Sequence, residues 1–390
     1  MEVGIVGKPN VGKSTFFKAL TLSDAEVANY PFTTISPNIG VGHVRVKCPC
    51  IDLKVTCSPR NSLCVSGNRY VPVKVIDVAG LVPGAHEGKG LGNKFMDDLR
   101  QANALIHVID ISGRTDEKGE PCSGHDPEVD IKFLENEIDL WFLSIISRNW
   151  VKVYSTVRHG KHSIIKELSE PLSGLGIKEH HIAHAMKESN LNEENPHWTD
   201  DDLKNFSVNL RRTSKPITIA ANKIDLDSNK NFERLKDKYD IIPVCSQVEF
   251  ALKKASESGV IEYVPGDNKF KIIKEVDAKQ KQALDFMKNI IEKYGSTGVQ
   301  ACLNRAVFDV LKRIVVYPVE DEHELMGGKG NVLPDAFLMP EGSKAIDLAY
   351  KVHTDIGDRF IGAIDCRTKR KVGRDYELKD GDVLSILAKR

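Results

Sequence analysis

The sequence predicts an α/β fold: a parallel-sheet domain with a phosphate-binding loop, interrupted by a helical insert and followed by a small β-grasp module. Three observations predict it. Val3-Gly4-Ile5-Val6 reads as a short buried strand that runs straight into Gly7-Lys8-Pro9-Asn10-Val11-Gly12-Lys13-Ser14, a full match to G-x-x-x-x-G-K-[ST]. Two later apolar strands end in D-x-x-G at residues 77–80 and in N-K-x-D at residues 222–225. From Asn331 onward the texture changes to short strands around one helix. The boundaries drawn are 1–125 and 214–330 for the nucleotide-binding domain, 126–213 for the insert and 331–390 for the C-terminal module.

At the phosphate loop the glycines let the backbone curl so that its N–H groups point inward, and Phe16-Phe17-Lys18-Ala19-Leu20 begins a helix whose N-terminus favours anions. The expected ligand is a nucleoside triphosphate. Asn10, Val11, Gly12, Lys13, Ser14 and Thr15 would line it, with Lys13 reaching the β- and γ-phosphates and the Ser14 hydroxyl ligating Mg²⁺. In Asn29-Tyr30-Pro31-Phe32-Thr33-Thr34-Ile35, one hydroxyl, assigned to Thr34, would complete the Mg²⁺ shell only when the γ-phosphate is present.

Four cysteines, Cys48, Cys50, Cys57 and Cys64, fall within seventeen residues. Such crowding suggests a Zn²⁺ knuckle, but C-x-C-x₆-C-x₆-C is not the spacing of a paired knuckle and free thiols are the favoured reading. Val73-Lys74-Val75-Ile76-Asp77 is the next strand. Asp77 would hold Mg²⁺ through water and the Gly80 N–H would approach the γ-phosphate.

Between the strand Ala104-Leu105-Ile106-His107-Val108-Ile109-Asp110 and the N-K-x-D strand lie about a hundred residues, too many for one crossover helix. They read as helical. Asp126-Pro127 is a helix start, Leu134, Ile138, Trp141, Phe142 and Ile145 follow at helical spacing as core, and Thr199-Asp200-Asp201-Asp202 opens a later helix. His180 and His184 share a helix face, where solvation is a better reading than metal binding without a third ligand.

Ile217-Thr218-Ile219-Ala220-Ala221 leads into Asn222-Lys223-Ile224-Asp225. Asp225 can accept both N1–H and N2–H of guanine, a bidentate pairing adenine cannot return because its N1 is an acceptor. Asn222 would tie this loop to the phosphate loop and the Lys223 stem would lie across the base. A further strand, Ile241-Ile242-Pro243-Val244, leads into Cys245-Ser246-Gln247, where a backbone N–H would bind guanine O6. Residues 278–294 and 299–314 read as two helices. In the C-terminal module strands lie near 336–339, 360–364 and 383–387, with a helix at 345–353. Arg367, Lys369, Arg370, Lys371 and Arg374 crowd one turn, a local cluster that would either contact RNA phosphates or stay a solvated basic hairpin, with no DNA partner expected.

The bulk numbers exclude other classes. With 55 basic and 55 acidic side chains, nucleic-acid contact must come from such a local patch and not from net charge. No apolar run approaches a membrane span and the first residues already form strand and loop, so a cytoplasmic protein without a signal peptide is expected, with its eight cysteines reduced or metal-bound.

Asp77-Val78-Ala79-Gly80-Leu81-Val82-Pro83-Gly84-Ala85-His86-Glu87-Gly88-Lys89-Gly90-Leu91-Gly92-Asn93, together with Tyr30-Pro31-Phe32-Thr33-Thr34, resembles the Obg-related translation-factor GTPases of the YchF type, in their archaeal form. The resemblance covers nearly the whole chain, and the last sixty residues look like the TGS domain that ends these proteins. It implies a Ras-like GTPase domain, slow hydrolysis and a ribosomal or ribosomal-RNA partner. Leu81 stands where Ras-like proteins carry the water-orienting Gln, and an aliphatic side chain cannot hold a water by hydrogen bonding. His86 matches a family position proposed to act on that water, and Asn10 resembles a residue that in some relatives holds K⁺. YchF-type proteins commonly replace the base-reading Asp by Glu and accept ATP; Asp225 restores the guanine pattern, so GTP is expected over ATP.

Overall fold

The computed structural model describes residues 1–21, 38–78, 80, 92–160 and 162–389. Thr34, Leu81 and His86 lie outside the described residues. Two compact units emerge: one formed by 1–22, 36–40 and 74–302, the other by 23–35, 41–73 and 303–390.

In the first unit, β1 (Glu2–Val6) pairs in parallel with the end of β4 (Asn68–Asp77) on one side and with β5 (Ala104–Asp110) on the other. Beyond β5 come β6 (Ile217–Asn222) and β7 (Ile241–Pro243), again parallel. β5 is buried at every residue and reads as an unbroken apolar run apart from His107 and Asp110, which is how a strand covered on both faces should read. All the sequence motifs therefore sit at the carboxyl ends of parallel strands, the edge where such sheets bind ligands.

The expected insert is α4 (Pro127–Arg158), α5 (Ile164–Ser173), α6 (Glu179–Glu188) and α7 (Asp200–Ser214). Asp126 caps α4 by accepting from the Glu128 N–H at 3.0 Å, and Thr199 and Asp202 close a reciprocal capping box on α7. Leu134, Ile138, Trp141 and Phe142 pack with Leu203, Phe206 and Leu210 in one core, so the aromatic stripe is structural. His180 and His184 are exposed on α6.

A second core joins β6, β7 and α9 (Ser246–Glu257) to α10 (Ala278–Tyr294) through Ile219, Val248, Leu252, Leu284 and Ile291. α10 has the expected bounds: Asp277 and Gln280 box its start and Gly295, at φ 80°, ends it.

The second unit holds a five-stranded sheet in the order β11 (Phe337–Pro340), β10 (Arg313–Val319), β14 (Val383–Ala388), β12 (Phe360–Asp365), β13 (Arg370–Val372). α12 (Ala345–Val352) packs on it through Ala345 and Leu348. β10 and β14 are parallel while the β10–β11, β12–β14 and β12–β13 pairs are antiparallel, the mixed sheet of a β-grasp.

One element differs from the sequence reading. The helix read over 299–314 is only α11 (Val299–Asn304) plus a π-helical turn at Arg305–Val310; Lys312, at φ 47°, then reverses the chain into β10. Ile314, Val315 and Val316 are β-branched and fully or nearly buried, which suits a pleated interior strand better than a helix end. The C-terminal sheet consequently draws on residues before 331.

Candidate nucleotide-binding site

Gly7, Asn10 and Gly12 take positive φ values of 157°, 63° and 92°, which bend the chain after β1 into a loop before α1 (Lys13–Thr21). Only glycine fits two of these positions. A Cβ on Gly7 would stand 2.5 Å from the Val108 carbonyl oxygen, and one on Gly12 would stand 2.4 Å from Asn222 Nδ2. Val11 is fully buried under the loop, Thr15 is half-buried, and Ser14 is exposed on the first turn of α1, where free N–H groups favour an anion.

Lys13 Nζ donates to Asp77 Oδ1 at 2.8 Å and to the Val78 carbonyl at 2.6 Å. This draws the D-x-x-G strand end to the phosphate loop, and a Cβ placed on Gly80 would lie 3.7 Å from Pro9. A hydroxyl at Ser14 and a carboxylate at Asp77, both hard oxygen donors beside an anion-binding helix start, fit Mg²⁺, which takes few protein ligands and keeps its waters.

The N-K-x-D loop is tied to the phosphate loop twice. Asn222, almost fully buried, donates through Nδ2 to the Val11 carbonyl at 2.8 Å and accepts at Oδ1 from the Ser246 N–H at 3.1 Å and the Ser246 hydroxyl at 2.8 Å. Lys223, at φ 61°, donates through Nζ to the Asn10 carbonyl and to Asp110 Oδ2, each at 2.8 Å. Asp225 is half-buried and its Oδ1 accepts from the Cys245 thiol at 3.1 Å. Burial, and then the negative charge of Asp225, push that thiol up to about 12, so it stays a donor.

Of the three residues singled out after β7, two have their amides engaged. Cys245 N–H donates to the Thr297 carbonyl at 2.9 Å and Ser246 N–H to Asn222. Gln247 is exposed in the first turn of α9. Behind them, Glu249 accepts from the Tyr263 hydroxyl at 2.7 Å and the Thr297 hydroxyl at 2.5 Å, which holds the Thr297 carbonyl in place.

Sequence reasoning missed two polar centres. Lys8, an unspecified position of the loop motif, is buried with its Nζ 2.7 Å from Asp130 Oδ2 on α4 and 2.9 Å from the Thr115 carbonyl. His125 Nε2 lies 2.9 Å from the same carboxylate. Burial holds the Asp130 carboxyl above its usual range, against the pull of Lys8 and His125. The second centre is Asp110, fully buried at the end of β5, which accepts from Ser112, Thr115 and Lys223. Burial disfavours its charge, but the Lys223 ammonium and the hydroxyls outweigh burial and its carboxyl titrates below the ordinary range. The only sequence signal was a carboxylate ending an otherwise apolar strand. Between them the loop 111–125 reaches the phosphate loop: Asn10 Nδ2 donates to the Gly119 carbonyl at 3.0 Å.

The remaining predicted residues belong to the second unit. Arg367, Lys369, Arg370, Lys371 and Arg374 are all exposed around the β12–β13 hairpin. Lys369 Nζ donates to the Glu322 carbonyl and Arg367 lies 3.8 Å from Asp52, whereas Arg370, Lys371 and Arg374 have no ion pair among the described residues. Cys48, Cys50, Cys57 and Cys64 come together, with every pair of sulfurs within 4.8 Å.

Comparison with known proteins identifies the family. Residues 2–139 match the 50S ribosome-binding GTPase family, 220–321 the G4 motif-containing domain of YGR210-like Obg-like GTPases, and 329–388 the TGS domain. An uncharacterized GTP-binding protein of Methanocaldococcus jannaschii is 53% identical over 99% of this chain and 98% of its own length. A Bacillus subtilis protein named ribosome-binding ATPase YchF is 28% identical over 98% of both chains. The crystal structure of a GTP-binding protein from Pyrococcus horikoshii superposes with a TM-score of 0.81 at 41% identity, covering all of both chains. Among the described residues no helix is long and apolar enough to cross a membrane. With the phosphate loop, the tethered N-K-x-D and the terminal β-grasp in one chain of matching length, this protein belongs to the Obg-related, YchF-type family of P-loop GTPases that end in a TGS domain.

Proposed function

We propose that the chain hydrolyses GTP to GDP and phosphate in a Mg²⁺-dependent cycle and acts as a conformational switch on the ribosome. The observation that carries guanine is Asp225: a carboxylate in the short turn after β6, oriented by the Cys245 thiol, in a loop that Asn222 and Lys223 fasten to the phosphate site. A fixed carboxylate offers two acceptors to N1–H and N2–H of guanine and meets an acceptor at N1 of adenine. Gln247 N–H is the amide left for O6.

At the phosphate end Lys13 would exchange Asp77 for the β- and γ-phosphates, while Ser14, Asp77 and Thr34 would hold the metal. Bound Mg²⁺ supplies positive charge against the phosphate oxygens. The Gly80 N–H would face the γ-phosphate, so Thr34 and the segment after Gly80 are the parts that would distinguish GTP from GDP. With Leu81 unable to orient water, turnover would be slow and would rest on His86 and on K⁺ held by Asn10, whose side-chain oxygen is its free acceptor once Nδ2 is spent on Gly119. The ribosome is suggested by the name of the Bacillus relative, and the exposed basic hairpin is the surface that would meet ribosomal RNA.

Calorimetry with GDP and ADP in Mg²⁺ tests the reading. GDP should bind at least about a hundredfold tighter, since a site built to pair with guanine's donors leaves its carboxylate unpaired against adenine. ADP binding as tight as GDP would refute the role given to Asp225 and favour ATP as the substrate, the nucleotide in the names of several relatives.

A further inference from the structure

Away from the nucleotide, four cysteines in the second unit form a cluster that the GTPase reading does not use. We propose that Cys48, Cys50, Cys57 and Cys64 bind a single Zn²⁺ ion as a tetrathiolate, a structural site that fixes the segment 41–73 against the residues leading into β11.

The sulfur geometry is the first argument. All four Sγ atoms lie within 4.8 Å of one another, and the Cys48–Cys57 and Cys50–Cys64 pairs stand 3.9 Å apart. Zinc holds thiolates at about 2.3 Å, so the edges of its tetrahedron measure about 3.8 Å. Those two pairs already match its edges. A disulfide would need its sulfurs at about 2.05 Å, and a cluster of several iron atoms would need its thiolates farther apart.

The backbone reaches this arrangement through a helix cap and a tight hairpin turn. Cys48 stands at the N-cap of α2 (Pro49–Leu53), with Cys50 the second residue of its first turn. Lys54, at φ 54°, turns the chain back, and the Val55 N–H returns to the Cys50 carbonyl at 3.1 Å. Cys64 lies in β3 (Leu63–Val65), and the tight Ser66-Gly67 turn into β4, at φ 49° and 76°, brings the Gly67 carbonyl to the Cys48 N–H at 2.8 Å. The left-handed residue Lys54 ends the helix and Ser66 opens the two-residue hairpin turn, and the two reversals bring the four cysteines to one place.

Charge is an independent argument. Arg69, paired in register with Cys64 across β3 and β4, is completely buried. Its guanidinium donates to the Ser62 hydroxyl at 3.1 Å and the Leu333 carbonyl at 2.7 Å and lies over the Tyr317 ring, while its Nε has no partner. Among the described residues no carboxylate pairs with it. A buried cation without an anion is unfavourable, because nothing repays the loss of its hydration. Four thiolates around a divalent ion leave a net charge of −2 beside Arg69, and so supply the missing counter-charge.

The site also explains how a stretch with little apolar content is held. Between the third and fourth ligands, Ser58 exchanges two hydrogen bonds with Val332, both 2.9 Å, Asn61 exchanges two with Ala336, and Arg60 pairs with Asp335 at 2.5 Å. Zinc would anchor both ends of that stitched loop, replacing a core it is too short to build.

The test is metal analysis of the full-length chain purified without chelator from zinc-containing medium. One zinc per chain is expected, together with the visible ligand-field bands of a tetrahedral thiolate site after cobalt exchange. Cys57→Ser and Cys64→Ser should each lose the metal while Cys302→Ser, a buried cysteine outside the cluster, keeps it. Should the serine variants fail to fold, the wild-type stoichiometry and cobalt spectrum still decide. No metal, iron in place of zinc, or peptide mapping that finds Cys48–Cys57 or Cys50–Cys64 disulfides would each overturn the assignment. GDP calorimetry on the same samples reports the nucleotide site separately, so failure here leaves that reading standing.

Discussion

Asp130→Ala should be among the most destabilising single substitutions in the nucleotide-binding unit, although Asp130 belongs to no motif. Its carboxylate lies 2.7 Å from Lys8 Nζ, with the two side chains 6% and 4% exposed, and it also meets His125 at 2.9 Å. Removing it leaves an ammonium in a dry site where, among the described residues, the Thr115 carbonyl is its remaining acceptor. Breaking one partner of such a pair costs about 3–5 kcal/mol, or roughly 6–20 °C in the melting temperature of a unit this size. The pair itself contributes little net stability, because desolvation offsets the attraction and burial already raises the Asp130 pKa. Lys8→Met combined with Asp130→Leu should therefore return to within about 1.5 kcal/mol of wild type. Urea unfolding read by tryptophan fluorescence measures both, since Trp141, Trp150 and Trp198 all lie in the insert. A single variant within about 1 kcal/mol of wild type, or a double variant as unstable as the single, would refute the reasoning.

Three other outcomes are expected. Asp225→Ala should weaken GDP by about 30- to 1,000-fold, or about 2–4 kcal/mol for two charge-assisted hydrogen bonds, and leave ADP unchanged; equal losses for both in calorimetry would mean that Asp225 does not read the base. His107 is buried and its pKa is pushed down from 6.5 to about 3, chiefly by desolvation and then by the Lys8 charge. The unfolded chain takes up this proton below pH 6.5 and the folded chain does not until about 3, so stability present above 6.5 falls by about 1.4 kcal/mol per pH unit on acidification. His107→Leu should flatten that slope in urea titrations at pH about 7, 6 and 5, and an unchanged slope would place the acid sensitivity elsewhere. Replacing Arg370, Lys371 and Arg374 together by Ala should weaken ribosome cosedimentation and lower its salt dependence by about 2–3 in the log–log slope; binding with an unaltered slope would clear the hairpin of phosphate contact.

What could be read from the chain was local. Val3 to Ser14 declares a strand, a tight glycine loop and a helix start because each step depends on neighbours a few residues away. The same holds for the capped starts of α4, α7 and α10 and for the strand before Asn222. Lys8 carried no such mark: its meaning comes from Asp130, more than a hundred residues on, and a buried lysine looks like any other in a one-dimensional pattern. β10 was hidden for a related reason, since Arg313 to Val319 borders a helix and becomes a strand by pairing with β11 and β14.

The sequence by itself determined the chemistry available: a loop that can wrap phosphates, a carboxylate that can pair with guanine, four thiols and a basic turn. Only the tertiary structure decided which of these groups meet. It set the Cys245 thiol on Asp225, Asn222 on the phosphate loop and four sulfurs within 4.8 Å of one another. Residue type sets what a side chain can donate, accept or ligate, whereas distance and burial set what each such contact contributes, and both arise from packing between segments remote in the chain.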